Sequence, residues 1–232
     1  MSTRIEKKYT FKKSDRLFIN DYVRGHRFGF VSVHNKRIVH SIYFDTNGFA
    51  NYEGNLLGGS KRIKARIRWY SQKNDNVKPI NKNIFFELKI KSNQYGKKFS
   101  YKIDQSKFSG VENISKDRVI AAIRSCVPEE SHIFLDGLHE PTLQVSYQRE
   151  YYEDFSGLIR ITVDDELTFS RPDHFSIFNE QRFSMVQMEY GVLETKISTG
   201  ADYMPLSLDF SHGLIRAGRH SKYAVGMRSI YG

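Results

Sequence analysis

The chain has 232 residues, a net charge of +10, 39% hydrophobic and 14% aromatic residues, and one cysteine, Cys126. That composition excludes a disordered polymer, the single cysteine excludes an intramolecular disulfide, and no run reaches the ~20 apolar residues of a membrane-spanning helix. The basic balance points to an anionic partner: nucleic acid, a membrane surface or a phosphate polymer.

Residues 4–11 alternate, with Arg4, Glu6, Lys8 and Thr10 on one face and Ile5, Tyr9 and Phe11 on the other, as a half-buried strand requires. Ser14 or Asp15 caps a helix carrying Leu17, Phe18 and Val23, and Gly25 ends it. Residues 38–45 read as a strand running into the turn-prone Asp45-Thr46-Asn47-Gly48. A short connection with Phe49 and Tyr52 leads through Gly58-Gly59 to residues 61–70.

That stretch is the most informative in the chain. Arg62, Lys64, Arg66, Arg68 and Tyr70 share one face, and Lys61, Ile63, Ala65, Ile67 and Trp69 share the other. Side chains two apart lie roughly 7 Å from each other. Each like-charged pair at that spacing repels by about 2.4 kcal/mol at an effective dielectric of about 20, against about 0.6 in water. A row of four cations therefore belongs in open solvent or against a polyanion.

Past a polar loop at 71–83, residues 84–91 place Phe85, Glu87, Lys89 and Lys91 opposite Phe86, Leu88 and Ile90. Gly96 sits near a turn, after which Lys98, Ser100, Lys102 and Asp104 oppose Phe99, Tyr101 and Ile103. Ser115 caps a helix that stops before Pro128; within it, Cys126 between Ile123 and Val127 reads as a small buried hydrophobe. A strand at 142–152 carries Tyr147 and Arg149 on one face. A turn at Asp154–Gly157 leads to another strand, with Arg160, Thr162 and Asp164 opposite Ile159, Ile161 and Val163. One more strand within 184–198 presents Val192, Glu194, Lys196 and Ser198, and the tail from Pro205 reads as helical. With no repeat or linker, residues 1–232 read as one domain. The first residues lack an apolar signal region, so a cytoplasmic protein is expected.

Most polar strand faces carry a cation, and Glu6, Glu87 and Glu194 stand among them. Seven or eight antiparallel strands closed into a barrel would line its interior with Arg62, Lys64, Arg66, Arg68, Lys89, Lys98, Lys102, Arg149 and Arg160. The three glutamates would then either lock arginines in salt bridges or hold a divalent metal on phosphate oxygens. No nucleophile paired with a base is visible, and no nucleic-acid-binding motif, so nucleic acid is not the expected partner. The lone histidines His26, His34, His132 and His174 are assigned no role.

Glu6-Lys-Lys8-Tyr9, Tyr43-Phe-Asp45-Thr, Lys64-Ala-Arg66-Ile-Arg68, Phe86-Glu87-Leu-Lys89, Tyr147-Gln-Arg149, Arg160-Ile-Thr-Val-Asp164, Val192-Leu-Glu194-Thr-Lys196 and Ser221-Lys222-Tyr223 follow in order. Together they resemble the VTC domain, the catalytic domain of polyphosphate polymerases within the triphosphate tunnel, CYTH-like superfamily. The resemblance implies an α+β fold, a closed tunnel of about eight antiparallel strands with helices outside. It implies transfer of the γ-phosphate of ATP to a growing polyphosphate chain with a divalent metal, manganese or magnesium. Lys8, Arg66, Arg68, Lys89, Arg149, Arg160 and Lys222 would grip phosphate, Tyr147 and Ser221 would add hydrogen bonds, and Glu194 would hold the metal. Glu87 and Glu6 are further metal candidates, and Arg62, Lys64, Lys98, Lys102 and Lys196 further substrate contacts. ATP, triphosphate or inorganic polyphosphate are the implied partners, with recruitment by a membrane protein left open. Tunnel hydrolases begin with Glu-x-Glu-x-Lys, whereas Arg4 stands at the first of those positions here, which leans towards the polymerase. A tunnel triphosphatase and a non-enzymatic polyphosphate-binding module are the alternatives.

Overall fold

The computed structural model describes residues 4–73, 83–93, 95–108, 115–138, 140–173, 185–198 and 215–232. In chain order the elements are β1 (Arg4–Lys12), α1 (Arg16–Arg24), β2 (Val31–Asp45), α2 (Ala50–Leu56), β3 (Lys61–Ser71), β4 (Ile84–Ser92) and β5 (Tyr95–Ile103). They continue with α3 (Lys116–Cys126), β6 (Glu140–Glu153), β7 (Ile159–Ser170), β8 (Val186–Gln187), β9 (Tyr190–Ser198), β10 (Ile215–Ala217) and α4 (Lys222–Tyr231). The architecture is α+β, largely antiparallel sheet with a few helices.

The strands follow the order β10-β1-β9-β7-β6-β2-β3-β4-β5, with β8 on β7. This corrects two expectations. Among the described residues the sheet has ten strands rather than about eight, and it does not close into a barrel: its path ends at β5 and β10. Alternation along a strand determines which side chains share a face. It says nothing about whether the first and last strands of the order meet.

The chain divides into two compact units. The first comprises Met1–Ile38, Tyr147–Leu167 and Gln187–His220. Its core joins Phe11, Leu193, Ile159, Ile161 and Val163 from the strands to Ile19 and Val23 of α1, with Phe30 and Tyr152. Ile19 and Val23 are four apart, so they share one helix face. Leu17 and Phe18, expected to pack, are exposed instead.

The second unit comprises Val39–Ser146, Thr168–Val186 and Ser221–Gly232. Here the apolar set of β3 (Ala65, Ile67, Trp69) meets Phe86 and Leu88 of β4, Ile103 of β5, and Val119, Ala122 and Ile123 of α3. The helix positions i, i+3 and i+4 form the stripe it buries, and each large side chain taken from water contributes roughly 1.5–3 kcal/mol. The α3 helix begins after Ser115 and ends where Val127, extended ahead of Pro128, leaves the helical region.

Smaller departures have local causes. The connection expected at Phe49 and Tyr52 contains the helix α2, because Asp45 Oδ1 accepts the N–H of Asn51 and Oδ2 that of Tyr52, while Thr46 Oγ1 accepts that of Ala50. Gly96 lies within β5, close to the reversal made by Asn93 in the left-handed region. The segment 184–198 holds two strands, β8 and β9, instead of one. The tail contains β10 before its helix begins at Lys222, and residues 205–214 lie outside the described residues, as do His174 and the Lys61 side chain. Cys126 is only partly buried. Among the described residues no helix is long and apolar enough to cross a membrane.

Candidate functional site

In the second unit, the register of β3, β4 and β5 assembles one basic face. Arg66 lies opposite Glu87, Lys64 opposite Lys89 and Arg62 opposite Lys91. Across the next ladder Glu87 lies opposite Ser100, Lys89 opposite Lys98 and Phe85 opposite Lys102. Directly opposed side chains share a face, and like charges there repel. Three such pairs of cations stand in register around a single carboxylate.

Glu87 is buried and spends both oxygens on that excess charge. Its Oε2 accepts from Arg66 Nε at 2.7 Å and pairs with Arg66 Nη2 at 2.6 Å, and Arg68 Nη1 lies 3.6 Å away. Lys98 Nζ donates to Oε1 at 2.6 Å. Burial alone would raise the Glu87 carboxyl, but Arg66, Arg68 and Lys98 outweigh it and hold the pKa at about 2. Of the two uses expected for these glutamates, Glu87 takes the arginine-locking one. The lock extends further: Arg66 Nη1 donates to the Tyr43 hydroxyl at 2.8 Å and Arg68 Nε to Ser41 Oγ at 3.2 Å. Lys64 Nζ donates to Ser221 Oγ at 2.9 Å, and that oxygen also caps α4 by accepting from the Ala224 N–H at 3.2 Å. Lys222 follows at the first position of α4. Lys89 and Lys102 are exposed. Arg62 Nε is buried and has no hydrogen-bond partner among the described residues.

The first unit builds a second set. The β1–β9 register sets Lys8 opposite Glu194 and Glu6 opposite Lys196, and on β7 Arg160 faces Lys196 while Thr162 faces Glu194. Lys196 Nζ lies 2.8 Å from Glu194 Oε1, and Lys8 Nζ lies 3.1 Å from Glu6 Oε1. Burial would raise the Glu194 carboxyl, but Lys8, Lys196 and Arg149 bring it to about 2. Arg149 stands with its guanidinium carbon 5.1 Å from the Tyr147 ring centre and 5.8 Å from that of Tyr151. Arg160 is exposed and pairs with Glu153 at 2.7 Å.

Whether these residues fit a divalent metal depends on the donor set. Among the described residues no three His, Cys, Asp or Glu side chains gather, so a cage built wholly from protein is not formed. Glu194 fits a narrower role. It is a single buried carboxylate, and the Thr162 Oγ1 on the facing strand is buried with no hydrogen-bond partner among the described residues. A hard cation that takes most of its oxygens from phosphate and water needs only one or two from the protein.

Three residues left without a role by the sequence belong to these sets: Tyr43, which receives Arg66, Asp164, which receives Arg149, and Thr162, which lies opposite Glu194. All lie in or beside the motifs, and alternation places Thr162 and Asp164 on the face of Arg160. A carboxylate on a face of cations was the signal for Asp164. For Tyr43 no signal exists short of the β2–β3 contact.

The VTC domain model matches residues 3–231. A search of curated proteins found no match. Among solved structures the chain is similar to the PH1819 protein from Pyrococcus horikoshii OT3, at 13% identity and a TM-score of 0.44, over 95% of this chain and 97% of that one. It is also similar to the Mediator head module of Schizosaccharomyces pombe, at 8% identity and a TM-score of 0.44, over 88% of this chain and 85% of that one.

Proposed function

The chain belongs to the VTC domain family, and from that premise we propose that it is a polyphosphate polymerase-like phosphotransferase, moving the γ-phosphate of ATP onto an inorganic polyphosphate chain. The observation that carries this reading is the register of cations around Glu87. Arg62, Lys64, Arg66, Arg68, Lys89, Lys91, Lys98 and Lys102 share a face with one carboxylate, an arrangement that a chain of phosphates relieves and a neutral ligand does not.

The chemistry demands little beyond that. A terminal oxygen of the acceptor chain, already deprotonated, forms a bond to the γ-phosphorus. The bond from that phosphorus to the β–γ bridging oxygen breaks, and ADP leaves with the electron pair. Such a transfer depends on positioning and charge neutralisation rather than on a protein nucleophile. Arg66, Arg68 and Arg149 supply planar forks that match phosphate oxygens. Lys64, Lys89, Lys98, Lys102 and Lys222 supply point charges along the chain, and Lys8, Arg160 and Lys196 do so in the first unit. Tyr147 and Ser221 add hydroxyl donors. Glu194, with Thr162 opposite, would hold a manganese or magnesium ion, which as a Lewis acid draws charge from phosphate oxygens. Because salt bridges restrain Arg66 and Arg68, less order is lost when phosphate arrives.

Incubation with ATP and manganese, with products resolved by size, tests the proposal. Polyphosphate chains support it. Release of free phosphate alone would replace it with a triphosphatase, and tight binding without turnover would replace it with a binding module.

A further inference from the structure

Two of the sequence motifs, Tyr43-Phe-Asp45-Thr and Ser221-Lys222-Tyr223, have no part in the transfer described above apart from Ser221 and Lys222. In the second unit they meet. The rings of Tyr43 and Tyr223 stack with centres 4.8 Å apart and planes inclined by 22°. The Tyr223 hydroxyl donates to Asp45 Oδ2. Asp45 is fully buried, and it also accepts the backbone N–H groups of Thr46, Asn51 and Tyr52. Tyr52 closes the pocket with its ring edge-on to Tyr223 at 6.4 Å. One turn further along α4, a Cβ on Gly226 would stand 2.6 Å from Leu143 Cδ2 and 2.7 Å from Phe169 Cδ1. The helix backbone therefore packs closely against the Leu143 side chain of β6 and the Phe169 side chain of β7, which would have to shift to admit a Cβ.

On its other side Tyr43 reaches the phosphate grip. Its hydroxyl accepts from Arg66 Nη1 at 2.8 Å, while Glu87 Oε2 holds Nε and Nη2 of the same guanidinium. A planar fork gripped at both ends has one orientation. With Glu87 alone it could swing about that carboxylate oxygen.

We propose that Tyr43 and Tyr223 are positioning residues for Arg66: α4, seated by Gly226 and Asp45, pins the Tyr43 ring through Tyr223, and the Tyr43 hydroxyl sets the guanidinium plane that receives phosphate. The inference rests on the reading that Arg66 grips phosphate. The electrostatics agree with the geometry. Burial alone would raise the Tyr43 phenol, yet Arg66, Arg68 and Lys64 bring it down to about 8, as an oxygen beside several cations requires. The same arrangement explains why a motif near residue 43 and one near residue 223 belong to one site. It also makes α4 part of the binding apparatus rather than a cover.

The test is tripolyphosphate binding by titration calorimetry at low salt, without metal, on the full chain. Arg66→Ala should weaken binding at least about tenfold, and Tyr43→Phe and Tyr223→Leu about five- to tenfold each, the scale of one ordinary net hydrogen bond. Tyr223→Phe, which keeps the stacked ring but loses the hydrogen bond to Asp45, should weaken binding less than Tyr223→Leu. The deciding measurement is non-additivity. Combined with Arg66→Ala, neither Tyr43→Phe nor Tyr223→Leu should cost anything more, whereas a merely structural role adds its own loss. Additive losses, wild-type affinity in Tyr43→Phe, or a Tyr223→Phe as weak as Tyr223→Leu would each overturn the positioning role and leave the phosphate grip standing. Wild-type affinity in Arg66→Ala would remove the grip and this proposal with it. Should Tyr223→Leu not fold, Tyr43→Phe, which deletes one oxygen, decides by itself.

Discussion

Arg149 and Asp164 form a two-pronged pair, with Nε 2.5 Å from Oδ1 and Nη2 2.7 Å from Oδ2. Asp164 is fully buried, and the pair takes both charges out of water. Burial by itself would lower the Arg149 guanidinium, but Asp164 in front of it holds its pKa well above the ordinary value. The carboxylate thus keeps an arginine charged and aimed, which phosphate binding requires and which solvent would otherwise have to provide.

Breaking this pair should be costly. Asp164→Ala leaves a buried cation uncompensated, a loss of about 3–5 kcal/mol. Urea unfolding should show the midpoint falling accordingly, and Arg149→Met should be no milder, because it leaves the fully buried Asp164 carboxylate without its arginine. Equal stability of Asp164→Ala and wild type would show that the pair is solvated.

Glu87 makes stability depend on acid. Its folded pKa of about 2 lies below the ordinary 4.5, so between those values the unfolded chain binds more protons than the folded one. The stabilisation is therefore fully present above pH 4.5 and is lost as pH falls towards about 2. It is on the order of 3 kcal/mol at most. Glu194 follows the same direction in the first unit. In Glu87→Gln, melting temperatures should lie below wild type at neutral pH and converge with it near pH 2. A gap that stays constant down to that pH would show that Glu87 does not titrate with folding.

Binding should distinguish a built face from diffuse attraction. Affinity should rise from phosphate through triphosphate and fall as salt is added, because the cations face solvent-borne charge. Arg66→Ala should cost triphosphate more than the ~0–1 kcal/mol of an exposed ion pair. Arg124 on α3, partly exposed and paired with Asp136 at 2.7 Å, is the control, and Arg124→Ala should do almost nothing. Competition titrations with equal losses in the two variants would show that net charge alone drives binding.

Glu194→Gln separates turnover from grip. The substitution keeps the shape and removes the charge, so manganese-dependent product formation should be lost while triphosphate affinity without metal is unchanged or tighter. Retention of turnover would place the metal on other residues.

The one-dimensional pattern carried the local structure. Alternation over residues 4–11, 61–70 and 84–91 determined three strands and the face of every cation on them, since side-chain direction along a strand is a matter of backbone geometry. A helical stripe ahead of Pro128 determined α3 in the same way. The motifs in order determined the family. What lay beyond the sequence were contacts between segments far apart in the chain. Neither Asp45 nor Tyr223 announces that its partner lies 178 positions away. Nothing in the spacing of Glu87 shows that it serves Arg66, Arg68 and Lys98. The ends of the sheet behaved likewise, because strand pairing is a long-range choice made by packing, and among the described residues β5 and β10 do not pair. Periodicity decides which way a side chain points, and only the tertiary structure decides what it meets there.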